Sequence, residues 1–214
     1  GEAHYYLGRL AERRADPKAA LEHYLQAGTG HEFLLAQARV STILAEDGLW
    51  EEAREHLQRA RQQQPGKARQ LVMVEAQLLA DRGLEGEVFA FLDDAILDDP
   101  ENIELLYFRA MTGQRFGYFE ILEEDLRTII AIEPDNADAL NALGYTLTDQ
   151  TDRHQEALEL IERALAIKPD EAAFIDSMGW VQYRLHNYED AIQHLRRALA
   201  LFQNDEVAAH LGEV

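Results

Sequence analysis

Along this chain an apolar residue, a small residue and a proline close one helical stretch after another: Leu57, Ala60 and Pro65; Leu92, Ala95 and Pro100; Ile161, Ala164 and Pro169. Leu126 and Pro134 frame a further copy in which Ile129 takes the small slot. By subtraction, Pro65, Pro100, Pro134 and Pro169 stand 35, 34 and 35 residues apart. Gly48, Gly83 and Gly117 mark intervening turns at intervals of 35 and 34. A period of this length is the mark of a repeat architecture. It predicts first helices near 2–14, 31–47, 67–82, 102–115, 136–149 and 171–184, and second helices near 17–28, 50–63, 85–97, 118–131, 154–167 and 188–201. No period-two alternation bounded by turns argues for a strand.

The fullest copy runs from Ala137 to Pro169 through Leu140, Leu143-Gly144, Ala157, Ile161 and Ala164. It resembles the tetratricopeptide repeat, in which Leu-Gly, two small residues, a bulky apolar residue and a proline recur over about 34 residues. Gly144 and Ala157 are small where two antiparallel helices must approach closely, and Leu143 and Ile161 fill the seam. Pro169 lacks a backbone N–H and disfavours helical geometry in the residue before it, so the second helix stops. The next copy keeps Ile175, Met178-Gly179, Ala191, Leu195 and Ala198 and then has Gln203 in place of the proline. Ala76 and Ala110 take the Gly slot in the third and fourth copies, and Leu211-Gly212 opens a copy left incomplete. The expected architecture is all-α: a superhelical solenoid of six helix pairs plus a truncated helix. It would form a single array over 1–214, a segment of a longer protein, with room to bend at Gly28-Thr29-Gly30.

Charge narrows the partners. Lys and Arg total 20 against 40 Asp and Glu, a formal charge of −20. Nucleic acid binding rests on clustered basic residues, so nucleic acid is not an expected partner, and an anionic membrane surface is disfavoured for the same reason. No apolar run is long enough to span a bilayer as a helix. The chain has no Cys, which removes thiolate catalysis and Cys-based zinc sites but fits a reducing cytosol and a periplasm equally.

Catalytic, metal and cofactor motifs are not found. The eight histidines form no helix motif with two His four apart and are expected to be exposed or in turns; His186, beside Asn187, takes the turn position usually held by Gly. Gly66-Lys67 lacks the rest of a phosphate loop and is read as a helix start. Ser177 has no readable His partner. From Gly83 to Phe108 the chain carries eight carboxylates and no Lys, Arg or His, a pattern read first as a solvated face with acids at helix starts and second as a docking face for a basic partner.

The resemblance implies that first helices line a groove, with the slots flanking Leu-Gly pointing into it. Those slots hold Tyr5, Tyr6 and Arg9; Arg39 and Thr42; Met73, Val74 and Gln77; then Tyr107, Phe108 and Met111; Asn141 and Tyr145; and Asp176, Ser177, Trp180, Tyr183 and Arg184. The expected protein-binding groove is Tyr107, Phe108, Met111, Asn141, Tyr145, Asp176, Trp180, Tyr183 and Arg184. Rigid aromatic rings there suit a bound peptide, although any one ring could equally pack between helices. Basic residues in these slots, Arg9, Arg39, Arg115 and Arg184, are too scattered for the carboxylate clamp of the family.

Longer strings carry a finer resemblance: 123–127, 136–147, Asp176-Ser177-Met178-Gly179-Trp180-Val181 and 206–214. They resemble proteobacterial tetratricopeptide lipoproteins on the periplasmic side of the outer membrane, of the type that partners a carboxyl-terminal processing protease. The resemblance implies a non-catalytic scaffold that recruits the protease and its substrates, often cell-wall hydrolases. The repeat portion of a larger enzyme, a cytoplasmic scaffold and self-association remain open alternatives.

Overall fold

The computed structural model describes residues 1–28, 30–202 and 205–214; Thr29 and Gln203, at the expected bend and the expected missing proline, lie outside the described residues. These residues form two compact units, Gly1–Pro100 and Glu101–Val214. The first contains α1 (Glu2–Arg13), α2 (Pro17–Gln26), α3 (Phe33–Glu46), α4 (Trp50–Gln63), a 3-10 turn at Pro65–Lys67, α5 (Ala68–Asp81) and α6 (Glu85–Asp98). The second contains α7 (Ile103–Phe116), α8 (Phe119–Ile132), α9 (Ala137–Gln150), α10 (His154–Ile167), α11 (Ala172–Arg184), α12 (Tyr188–Leu201) and α13 (Asp205–Glu213). No strand occurs among the described residues. The all-α architecture of six helix pairs and a seventh first helix is therefore present, and Gly66-Lys67 lies in the 3-10 turn one residue ahead of α5.

The small slots are used for close approach. A Cβ on Gly144 would stand 2.6 Å from Ile161 Cγ1 and 3.1 Å from the Ala157 carbonyl oxygen, both on α10. Gly179 repeats the arrangement, with Leu195 Cγ 2.6 Å from where its Cβ would be. In the first unit Gly8 does the same against the Tyr24 ring, at 2.6 Å. Leu140, Leu143, Ala157, Ile161 and Ala164 are all fully buried around the α9/α10 crossing.

Turn chemistry follows the repeat as well. Gly48, Gly83 and Gly117 have φ of 80°, 70° and 79°, the left-handed region where a Cβ is strained. His186 has φ 65° and so takes the turn role its position suggested, and Ala15 does the same at φ 54°, which no sequence signal announced. Asn102 and Asn136, one repeat apart, cap α7 and α9 by accepting from Leu105 N and Ala139 N, each at 3.0 Å. The carbonyls of Pro134 and Pro169 accept from Arg163 and Arg197 on the following second helices, at 2.7 and 3.0 Å.

Buried charge ties neighbouring helices inside each unit. Glu75 on α5, 2 % exposed, accepts from Arg54 Nε at 3.0 Å and Arg61 Nη1 at 2.6 Å on α4. Asp125 on α8, 1 % exposed, receives a two-pronged Arg109 from α7 at 2.9 and 2.6 Å. On the second unit's surface, Glu123 accepts from Arg153 and Arg127, which hold its carboxyl down to about 2.

Gly144→Ala is expected to destabilise the second unit by about 1–3 kcal/mol, because the new methyl meets Ile161 and a backbone carbonyl in a packed seam. Urea unfolding followed by circular dichroism would show it as a lower midpoint, and the added cost of Gly144→Ala should shrink when it is made in an Ile161→Ala background.

Candidate functional site

Repetition at about 34 residues places equivalent positions of α7, α9, α11 and α13 on one face of the second unit. An open pocket of about 640 Å³ lies there. Gln114 comes from α7, Asn141 and Tyr145 from α9, Ala172, Ala173, Asp176 and Ser177 from α11, and Glu206 and Val207 from α13. Asp170, Glu171, Leu201 and Phe202 complete the lining from the segments around α11 and α12.

The polar groups of the pocket are mostly acceptors. Glu206 accepts from the Tyr145 hydroxyl at 2.9 Å, a link between residues 61 positions apart. Burial and this carboxylate together push the Tyr145 phenol up, so it stays a neutral donor. Asp176 faces His210 Nδ1 at 3.0 and 3.1 Å. Asp170 accepts from Arg197 at 2.7 Å. Asn141 Oδ1 is shielded from solvent and has no hydrogen-bond partner. Ser177 Oγ donates to the Ala173 carbonyl at 3.0 Å, a bond internal to the helix.

Of the expected groove residues, the pocket brings together Asn141, Tyr145 and Asp176, with Ser177 beside them. Tyr107, Phe108 and Met111 are half-buried on α7 and do not line it. Nor do Trp180, Tyr183 and Arg184. Trp180 was expected at a solvent-facing slot and is instead 7 % exposed. The reason is α13: the His210 ring stacks on the indole at 4.4 Å and 18°, and Tyr183 stacks beside it at 5.1 Å. In the first unit Tyr5 is also buried, against Tyr24, and Arg39 is held by Glu12 at 2.9 Å.

Only His31 and His186 meet the expectation of exposed or turn positions; His4, His23, His56, His154 and His194 are half-buried on helices and His210 is buried. His56 bonds Gln37 at 2.6 Å, and burial lowers its pKa to about 4. His210 is buried against Asp176 and Trp180. A sequence signal for His210 existed, since it stands 34 residues after Asp176 and hence in the same slot of the next copy. Leu201 repeats Leu97, Ile132 and Ile167, and Glu171 repeats the N-caps Asn102 and Asn136, but neither slot flanks Leu-Gly, so neither was read as groove-lining; Phe202 had no signal.

With this geometry, the comparisons with known proteins carry weight. Residues 135–204 match the tetratricopeptide repeat. The helices have the tetratricopeptide fold. A TPR repeat-containing protein of Pseudomonas aeruginosa is 45 % identical over 211 residues, covering 99 % of this chain and 36 % of its own length. The chain thus spans about a third of that relative's length. Among solved structures, YrrB, described as a TPR protein with an unusual peptide-binding site, superposes with a TM-score of 0.60 at 16 % identity, covering 91 % of this chain and 100 % of that one. A thermophilic TPR protein of Thermus thermophilus aligns with a TM-score of 0.56 at 25 % identity, over 67 % of this chain and 79 % of that one. No described helix is long and apolar enough to cross a membrane.

The docking of α13 is expected to depend on pH. Burial of His210 opposes its charged form, but the Asp176 hydrogen bond and the charges of Asp176, Glu206 and Glu213 outweigh it and raise its pKa above 6.5. A raised folded pKa adds stability that is full below 6.5 and is lost as pH rises through the folded value. Amide exchange in α13 should therefore quicken as pH rises above 6.5, after correction for the intrinsic rate. His210→Gln should flatten that dependence.

Proposed function

We infer that this tetratricopeptide array is a non-catalytic interaction scaffold and that its second unit holds a stretch of another protein against the face of α7, α9, α11 and α13. The observation that carries this reading is the pocket itself: four successive first helices converge on it, its polar groups are mostly acceptors, and the Tyr145 ring stands in its wall. A bound main chain supplies N–H donors at the spacing such a row can use. The Tyr145 ring gives contact area at little entropic cost. The peptide-binding site named for YrrB is consistent with the same use of the fold.

The finer role follows the resemblance of the strings at 123–127, 136–147, 176–181 and 206–214. In that reading the protein acts on the periplasmic side of the bacterial outer membrane, where it gathers a carboxyl-terminal processing protease and its substrates, among them cell-wall hydrolases. Cleavage would be performed by the protease, and the array would set which chains are brought together. No cofactor enters this function.

Affinity capture of the full-length protein from its native cell, with and without Asn141→Ala plus Tyr145→Ala, tests both levels. The expected result is a processing protease or its substrate among the captured proteins, reduced about tenfold or more by the double substitution, as for loss of a central anchor, with circular dichroism unchanged. Undiminished capture would remove the pocket from the account. Capture that depends on the pocket but contains no protease or hydrolase would remove the finer role alone.

A further inference from the structure

The first unit carries a pocket of its own, about 310 Å³ between α2, α3 and α4. Leu25 and Phe33 give it an apolar wall, and Gln37, His56, Arg59 and Gln63 supply its polar groups. No described Asp or Glu lines it, in a chain of formal charge −20. His56, Arg59 and Gln63 belong to a second helix, so the site is separate from the slots flanking Leu-Gly. Its interior is polar where the repeat is elsewhere apolar. His56 stands nine residues before Pro65 as Leu160 does before Pro169, and Gln37 stands four before Ser41 as Leu140 does before Gly144. Leu140 and Leu160 are buried, and Gln37, only 4 % exposed, brings an amide into the same slot. A buried amide is costly unless its hydrogen bonds are met. Gln37 Oε1 meets His56 Nε2 at 2.6 Å. Burial first, and the Arg59 charge second, lower the His56 pKa to about 4, so the ring is neutral and Nε2–H donates to that oxygen. The Gln37 amide nitrogen has no hydrogen-bond partner among the described residues. Arg59 donates through Nε to the Glu55 carbonyl at 3.3 Å, and its guanidinium has no carboxylate partner among them either. The charge and the buried open group are therefore both donors. A ligand that satisfies them brings an acceptor with one negative charge, and a planar carboxylate matches the guanidinium fork.

We propose that this pocket is a second polypeptide-binding site, which takes a carboxylate of the bound chain between the Arg59 guanidinium and the Gln37 amide, with an adjoining apolar side chain on Leu25 and Phe33. This rests on the reading of the array as an interaction scaffold and is independent of the pocket on the second unit. The polar pair Gln37 and His56 is then kept for binding at the expense of the apolar packing that Leu140 and Leu160 provide.

Three fluorescein-labelled peptides of Gly, Ala and Ser with a central Leu-X-Leu are the probes, read by anisotropy against the whole chain. One has X as Glu and an amidated end, one has X as Gln and an amidated end, and one has X as Gln and ends in a free Leu carboxylate. A carboxylate peptide is expected to bind about tenfold more tightly than the neutral one, in line with charge-assisted contacts; which of the two does so tells a side chain from a chain terminus. Raising the salt should narrow the gap. Arg59→Gln should bring the carboxylate peptides to the level of the neutral one. Gln37→Leu with His56→Leu, which copies the pair of the fifth repeat, should remove the preference and raise the urea midpoint, so that lost binding is not lost folding. In NMR spectra the Gln37 side-chain amide and Arg59 Nε–H should shift as peptide is added, and should still do so with Asn141→Ala plus Tyr145→Ala. Equal binding of the neutral peptide, or a preference that survives Arg59→Gln, overturns the proposal. So do acetate or inorganic phosphate shifting the same resonances while no peptide does, since that leaves an anion site alone. Binding that ignores Arg59→Gln and is lost with Asn141→Ala plus Tyr145→Ala overturns this site and leaves the second unit's pocket standing.

Discussion

The crossing of paired helices at a residue without a side chain is the constraint on which this structure depends. At Gly144 the α9 backbone comes so near α10 that a methyl would overlap Ile161, and Gly179 and Gly8 repeat the arrangement with Leu195 and Tyr24. Close approach lets Leu140, Leu143 and Ile161 be fully buried in a hairpin too small to form a core of its own. A hairpin so built has apolar surface left on its other sides, and it is the neighbouring hairpin that covers it. Helix length, turn and proline stop then recur because each copy must present the same surface to the next.

Charge acts on a different link of the chain of causes. Apolar stacking does not by itself say which polar faces meet, and a carboxylate removed from water is tolerated only beside a partner. Glu75 between Arg54 and Arg61, and Asp125 beneath Arg109, each hold adjacent helices in one register because sliding would strand a buried charge. The exposed pairs, such as Lys168 with Asp138, add little stability by comparison.

Much of this was legible in the sequence because repetition makes each copy a check on the others. The helix spans came out within about two residues, which is the scatter expected at helix ends. His186 announced a left-handed turn because it stands where other copies have Gly, whereas Ala15, with φ 54°, has no polar or glycine signature to read. The pocket was legible in part. Asn141, Tyr145 and Asp176 occupy slots fixed by the Leu-Gly landmark and reach it as that landmark implies. Trp180 did not, because a slot rule follows one helix and is blind to what the next copy lays across it; here that is the imidazole of His210. Leu201 repeats Leu97, Ile132 and Ile167 at the ends of second helices, a series the Leu-Gly landmark does not connect to the groove, and Phe202 lies in the connection beyond it.

One wall of the pocket, Glu206 and Val207, belongs to α13, a helix of nine residues that packs on α12. A helix of nine residues has little stability of its own and depends on what it packs against. Filling the pocket and docking α13 are therefore linked equilibria: an occupant that touches α13 favours its docked state by the same free energy that docking lends to the occupant. The affinity of such an occupant would in this way depend partly on how firmly α13 is seated, and the Asp176–His210 contact is a point where that seating is adjusted.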